Sequence, residues 1–169
     1  DITTDRTNRE VLRKLKDNDP NFVEMWMAGS RDDEHTDCYR LEGASDSGWL
    51  GHFIGKSTNL KKLHLQSRLF LGQYEYRLTK NAIKTFGTGI NDNKSIRKIR
   101  FYRLISTPGE IFQSMRPFFE NNSNLSELVV ERCTLGPGCA HQLSLLLRAC
   151  SASLKSIKIN HNQMGGEQL

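Results

Sequence analysis

One pattern occurs twice at a fixed step and leaves few folds open. Leu125–Leu135, LSELVVERCTL, sets apolar side chains at Leu125, Leu128, Val130 and Leu135, with Cys133 between them. Leu154–Met164, LKSIKINHNQM, fills the same slots with Leu154, Ile157, Ile159, Asn162 and Met164, 29 residues further on. The alternation inside each copy is the period-2 signature of a strand, whose successive side chains point to opposite faces. Less perfect copies precede these two. Phe22-Met25-Met27, Leu60-Leu63-Leu65 and Ile96-Ile99-Phe101 take the same strand slots, so strands are expected to start near 22, 60, 96, 125 and 154. Each follows a polar lead-in that closes the preceding turn: DPNF, STNL, NKSI, NSNL and SASL. The first two steps, of 38 and 36 residues, exceed the last two of 29, which assigns the extra residues to loop insertions.

Between strands the period becomes helical. Arg9–Lys16 places Val11, Leu12 and Leu15 on one face. Ser47–Ser57 does the same with Trp49, Leu50, Phe53 and Ile54, and Thr79–Ile90 with Ala82, Ile83, Phe86 and Ile90. Pro108–Glu120 has Thr107 as its N-cap, Pro108 in its first turn and Ile111, Phe112, Met115, Phe118 and Phe119 as its apolar face. Pro117 is expected to kink or end that helix. Gly138–Cys150 carries Ala140, Leu143, Leu146 and Leu147. These stripes read as core, not as a cofactor box. Parallel strands need helical crossovers of this kind. A unit this small cannot bury both its strand and its helix, so the units must stack.

The spacing L-x-x-L-x-L-x-x-N/C-x-L resembles a leucine-rich repeat, and helix-bearing units of 29 residues resemble the ribonuclease-inhibitor subclass. The resemblance covers about residues 20 to 169 and is most specific in the last two repeats. It implies an α/β solenoid: a curved, right-handed βα array with parallel strands on the concave face and helices on the convex face. Residues 1–21 then form an N-terminal helix, cap or partial repeat, and residues 22–169 form the repeats, the last one truncated. Cys133 and Asn162 hold the slot where that family uses Asn or Cys to satisfy backbone groups after the strand. Leu104 holds it in the third repeat, whose turn is expected to be irregular, and Arg68 in the degenerate second.

The resemblance also names the side chains that project from the concave face. They are Glu24 and Trp26; Lys62, His64 and Gln66; Lys98, Arg100 and Tyr102; Glu127, Val129 and Glu131; and Ser156, Lys158 and Asn160. Stacking makes rows of them, one running Trp26–His64–Arg100–Val129–Lys158 and another Glu24–Lys62–Lys98–Glu127–Ser156. The middle repeats are expected to form a cationic patch rimmed by Trp26 and Tyr102 and flanked by Glu127 and Glu131. Aromatic and Arg residues are enriched among interface hot spots, and Trp26 is the leading anchor. The expected partner-binding set is Trp26, Lys62, His64, Lys98, Arg100, Tyr102, Glu127, Glu131 and Lys158.

Other chemistry finds little footing. No apolar run is long enough to span a membrane, and the polar N-terminus has no signal-peptide core. Cys38, Cys133, Cys139 and Cys150 lack disulfide-framework spacing and read as free thiols, and the sequons at Asn93, Asn121 and Asn124 fall in turns. An intracellular, cytoplasmic location is expected. The chain opens without Met and ends at NQMGGEQL as another repeat begins, so it is expected to be a segment of a longer protein that self-associates through its uncapped C-terminal edge.

The insertion SRDDEHTDC holds His35 and Cys38 three apart but no second ligand pair, so no metal and no cofactor is expected. Cys139 and His141, two apart on a helix, face different ways and make no nucleophile–base pair. RKIRFYR, residues 97–103, mixes basic and aromatic residues, but Phe101 belongs to the core and Tyr102 alone would stack on a base. The net charge of +5 favours acidic partners without choosing one. The reading is a non-enzymatic protein–protein interaction module. A GTPase-activating regulator of the Ran GTPase-activating-protein type, or nucleic-acid binding through the basic patch, ranks behind it.

Overall fold

A computed structural model describes residues 2–28, 37–40, 44–66, 80–104 and 108–164. The elements run α1 (Arg6–Lys16), β1 (Glu24–Ala28), β2 (Cys38–Arg40), α2 (Ala44–Lys56), β3 (Lys62–Gln66), α3 (Lys80–Ile90), β4 (Lys98–Tyr102), α4 (Pro108–Asn121), β5 (Glu127–Glu131), β6 (Thr134–Leu135), α5 (Pro137–Ala149), β7 (Ser156–Asn160) and β8 (Gln163–Met164). The architecture is α/β. Six parallel strands form one open sheet in the order β2-β1-β3-β4-β5-β7, and β6 pairs with β8 in a small second sheet. Helices α2 to α5 pack side by side in chain order. Their apolar faces meet Met25, Met27, Leu63, Leu65, Ile99, Phe101, Leu128 and Val130 in a single core.

The repeat sets the register. Leu63 pairs with Ile99 and Ile99 with Leu128, so the same slot of successive repeats lies side by side. One strand of the six-stranded sheet has no counterpart in the sequence reading. β2 is three residues long, too short to show a period, yet Cys38 and Tyr39 are fully buried and it extends the sheet beyond β1. Asn8 of α1 closes its outer edge: the side-chain amide donates to Arg40 O at 2.6 Å, and Arg40 N donates to Asn8 Oδ1 at 2.7 Å. An edge strand whose backbone groups are satisfied in this way is a poor template for further pairing.

The polar lead-ins work as side-chain-closed turns. Asn93 is fully buried; its Nδ2 donates to Ile54 O and Ser57 O, and its Oδ1 accepts from Ser95 N and Ile96 N. Asn122, its equivalent one repeat later, donates to Ile96 O and accepts from Asn124 N. An amide so engaged is no acceptor for a glycan, which removes the sequon at Asn93. At the other end of the strand, Asn162 donates to Val130 O at 2.9 Å and accepts from Cys133 N at 2.8 Å. The Cys133 thiol lies against Phe101 O and Glu131 O. The turn before Leu104 is not irregular as expected. Arg103 takes a φ of 53°, matching Arg132 at 54° and His161 at 55°, and the Leu104 side chain is buried in the core while its carbonyl accepts from Thr134 N. The thiol or amide of this slot is therefore not what sets the turn. Thr107 and Arg68 lie outside the described residues.

The helices depart from expectation in instructive places. α1 starts at Arg6, three residues earlier than the expected start at Arg9, because Asp5 accepts from Asn8 N as an N-cap. α4 runs through Pro117 to Asn121. A mid-helix Pro costs about 3 kcal/mol, but the following turn buries Phe118 and Phe119 almost completely. Each contributes about 1.5–3 kcal/mol, enough to hold the turn in place. Trp49, expected in the core, is 48% exposed, and Ala140 is exposed as well, while Leu50 and Ile54 fill α2's buried face. Ile157 and Ile159, also expected in the core, are 49% and 41% exposed, since among the described residues β7 packs chiefly on β5.

α2 and α3 approach at backbone distance. A Cβ on Gly89 would sit 2.5 Å from Gly51 C and 2.6 Å from His52 N, and one on Gly55 would meet Gly89 O. Among the described residues no helix is long and apolar enough to cross a membrane.

Candidate functional site

The side of the sheet turned away from the helices carries the side chains that alternate with the core. Three rows follow from the register. Trp26 pairs with His64, His64 with Arg100, Arg100 with Val129, and Val129 with Lys158. Glu24, Lys62, Lys98, Glu127 and Ser156 make the second row. Gln66, Tyr102, Glu131 and Asn160 make the third. All nine residues of the expected binding set thus share one face.

The middle row is a stack of flat groups. The Trp26 and His64 rings lie parallel, with centroids 4.2 Å apart and planes 10° apart. The Arg100 guanidinium sits 5.7 Å from the Trp26 ring and 4.7 Å from the Tyr102 ring, and Glu131 holds it at 2.7 Å. This combines cation–π attraction with a charge-assisted hydrogen bond, and it leaves the guanidinium little freedom. Trp26 is accordingly half-buried, not a free-standing exposed ring. His64 is buried, with Nε2 2.8 Å from Glu24 Oε1 but without hydrogen-bond alignment. Burial pushes its pKa down to about 4; Glu24 opposes the shift, while Arg100 and Lys98 add to it. The imidazole is therefore neutral near pH 7.

The expected cationic patch is largely compensated. Lys62 pairs with Glu24 at 2.7 Å, and Lys98 and Lys158 each reach Glu127 at 3.2 Å. Burial pulls the Glu24 and Glu127 carboxyls upward, but the neighbouring ammonium groups outweigh it and leave both below the usual carboxylate range. Lys62 is raised by its bond to Glu24. The like-charged neighbours Lys62 and Lys98 thus each turn to a carboxylate on the outer side. Val129 is buried between Arg100 and Lys158 in its row and offers no apolar anchor.

Two residues outside the strand alternation complete the site: Arg103, the last residue of the basic cluster at 97–103, and Arg132, which the sequence reading missed. Arg103 and Arg132 lie 5.2 Å and 5.9 Å from the Tyr102 ring, and Arg132 Nη1 donates to the Tyr102 hydroxyl at 3.3 Å. Three guanidiniums surround this one ring, so it is not a vacant platform for a nucleobase. The signal was an Arg in the same slot of consecutive repeats, 29 residues apart, just past the strand.

The remaining candidates separate. Cys38 is buried in β2, and His35 lies outside the described residues. Burial pushes the Cys133 thiol up to about 11 and raises Cys150 as well, so neither is a ready nucleophile. Cys139 packs against the core while His141 is exposed. Among the described residues no group of three or more His, Cys, Asp or Glu side chains is placed to hold a metal. An open groove of about 280 Å³ between α3 and α4 is lined by Ile83, Lys84, Glu110, Gln113 and Ser114, whose hydroxyl donates to Ile83 O.

No protein-family model matches the chain, and no curated protein matches it in sequence. A solved structure of leiomodin-1 actin-binding site 2 (ABS2) is similar to it, with a TM-score of 0.54 and 15% identity, over 89% of this chain and 77% of that one. That neighbour has a leucine-rich-repeat-like fold, and at this identity the likeness speaks for the fold alone.

Proposed function

We propose that the chain is a non-enzymatic interaction module of leucine-rich-repeat type that binds a protein partner across its strand face, centred on Trp26, His64, Arg100 and Tyr102. The observation that carries this is the Arg100 guanidinium, held between two aromatic rings and tied to Glu131. An aromatic–Arg row fixed before binding loses little side-chain entropy when a partner arrives. Similarity in fold to a domain described as an actin-binding site supports a protein-interaction role in general terms. The finer reading is that of a ribonuclease-inhibitor-like solenoid with this face concave, α1 as the cap, and an intracellular location that suits its free cysteines.

The test is affinity capture by the wild-type chain, the Trp26→Ala and Arg100→Glu variants, and a helix-side control, Arg116→Ala, with filamentous actin as the first defined probe. Partners kept by the control and lost by both face variants support the reading. Equal recovery on all four baits sinks it.

A further inference from the structure

Arg103, Arg132 and His161 each stand one residue past a strand, β4, β5 and β7, with φ of 53°, 54° and 55°. Arg seldom adopts this left-handed backbone, which costs on the order of 1 kcal/mol per residue, whereas Gly, Asn, Asp and His take it more readily. Gly would serve the turn better, so the turn does not account for arginine at equivalent points of two successive repeats, with histidine at the third. The three residues follow one another along the carboxyl ends of the strands, where Arg103 N donates to Glu131 O and Arg132 N to Asn160 O. Lys62, Lys98, Arg100 and Lys158 each have a carboxylate partner; among the described residues Arg103 and Arg132 have none. Their guanidiniums converge instead on Tyr102.

We infer that this rim is an anion-recognition strip that takes an extended, Glu- and Asp-rich segment of the protein partner, laid across the carboxyl ends of β4, β5 and β7. The proposal deepens the strand-face reading and rests on it, because the rim borders that face. Adjacent strands are about 4.8 Å apart, and side chains on one face of an extended peptide recur at every second residue, about 6.8 Å apart, a mismatch small enough for the long Arg103 and Arg132 side chains to reach acidic groups at i and i+2. A nucleic-acid backbone fits less well. The uncompensated charge is a narrow rim bordered by Glu131 at the end of β5, and the Tyr102 ring is already taken by guanidiniums.

The test is fluorescence anisotropy with a labelled ten-residue polyglutamate peptide at low and at physiological salt. The variant is Arg103→Gly/Arg132→Gly, since glycine takes this backbone freely and the thermal midpoint should not fall. The control, Lys84→Ala/Arg116→Ala, removes the same formal charge from the helix side. Binding at least about fivefold weaker in the rim variant, from two exposed ion pairs, with the control unchanged, supports the strip. Equal weakening in both variants, no binding at low salt, or equally rim-dependent binding of single-stranded DNA overturns it. No peptide binding by the wild-type chain, with Trp26-dependent capture intact, would remove the rim and leave the strand-face reading standing. Failure of the Trp26 dependence alone would do the reverse.

Discussion

Met25, Leu63, Ile99 and Leu128 point to one side of the sheet and are fully buried. Glu24, Lys62, Lys98 and Glu127, each one residue earlier in the same strands, point to the other and form ion pairs at 2.7 Å and 3.2 Å. The same backbone and register thus support two kinds of surface. On the helix side stability comes from exclusion of water and close fit, where each buried side chain is worth kilocalories. On the outer side the contacts are exposed or half-buried pairs worth about 0–1 kcal/mol each. The first surface sets whether the chain folds. The second contributes little to folding, which leaves its composition free to serve recognition.

Mutations should divide along that line. The largest effect is expected for Gly89→Val, because any Cβ there collides with the Gly51 and His52 backbone, which a helix cannot move cheaply. Separation of α2 from α3 should cost about 3 kcal/mol or more, read as a collapse of the thermal midpoint or of soluble yield. Asn93→Ala comes next. It leaves Ile54 O, Ser57 O, Ser95 N and Ile96 N without their amide partner, and a loss of about 2–3 kcal/mol in urea unfolding is expected. An Asn93 variant with unchanged stability would show that the lead-ins do not hold the repeat turns.

The outer face should respond to pH more than to single truncations. His64 has a folded pKa of about 4, below its ordinary 6.5, so the unfolded chain binds the extra proton between those values. Its contribution to stability is complete above pH 6.5 and declines as pH falls toward 4. His64→Gln should flatten this part of a stability–pH profile. Glu24 and Glu127, both depressed, act in a lower window, losing their contribution as pH falls below the usual carboxylate range. The smallest effect is expected for Lys62→Ala, whose exposed pair with Glu24 should cost under about 1 kcal/mol. A loss near that of Asn93→Ala would erase the distinction between the faces.

Most of the sheet was legible because two periodicities coincide. Alternation marks the strands, and the fixed step tells which residues become neighbours, so the rows through Trp26, His64 and Arg100 follow from position alone. β2 escaped because three residues cannot display a period, and because its edge is closed by Asn8 from a distant helix. Trp49 and Ile157 were misplaced for a related reason: an apolar stripe says which face is apolar, not whether anything covers it. Which side chains share the outer face was legible, but their electrostatics were not. Lys62 and Lys98 read as a cationic patch until side-chain geometry turned each toward a carboxylate. Arg103 and Arg132 themselves take the left-handed backbone just past their strands, outside the alternation that identified the others.

The most direct test of the strand-face claim is site-specific photo-crosslinking, with a photoreactive amino acid placed singly at Lys62 on the strand face or at Trp49 on the exposed side of α2. The account predicts a protein adduct from position 62 that disappears when Arg100→Glu is added, and none from position 49. An adduct from position 49 alone would move recognition to the helices and contradict the account.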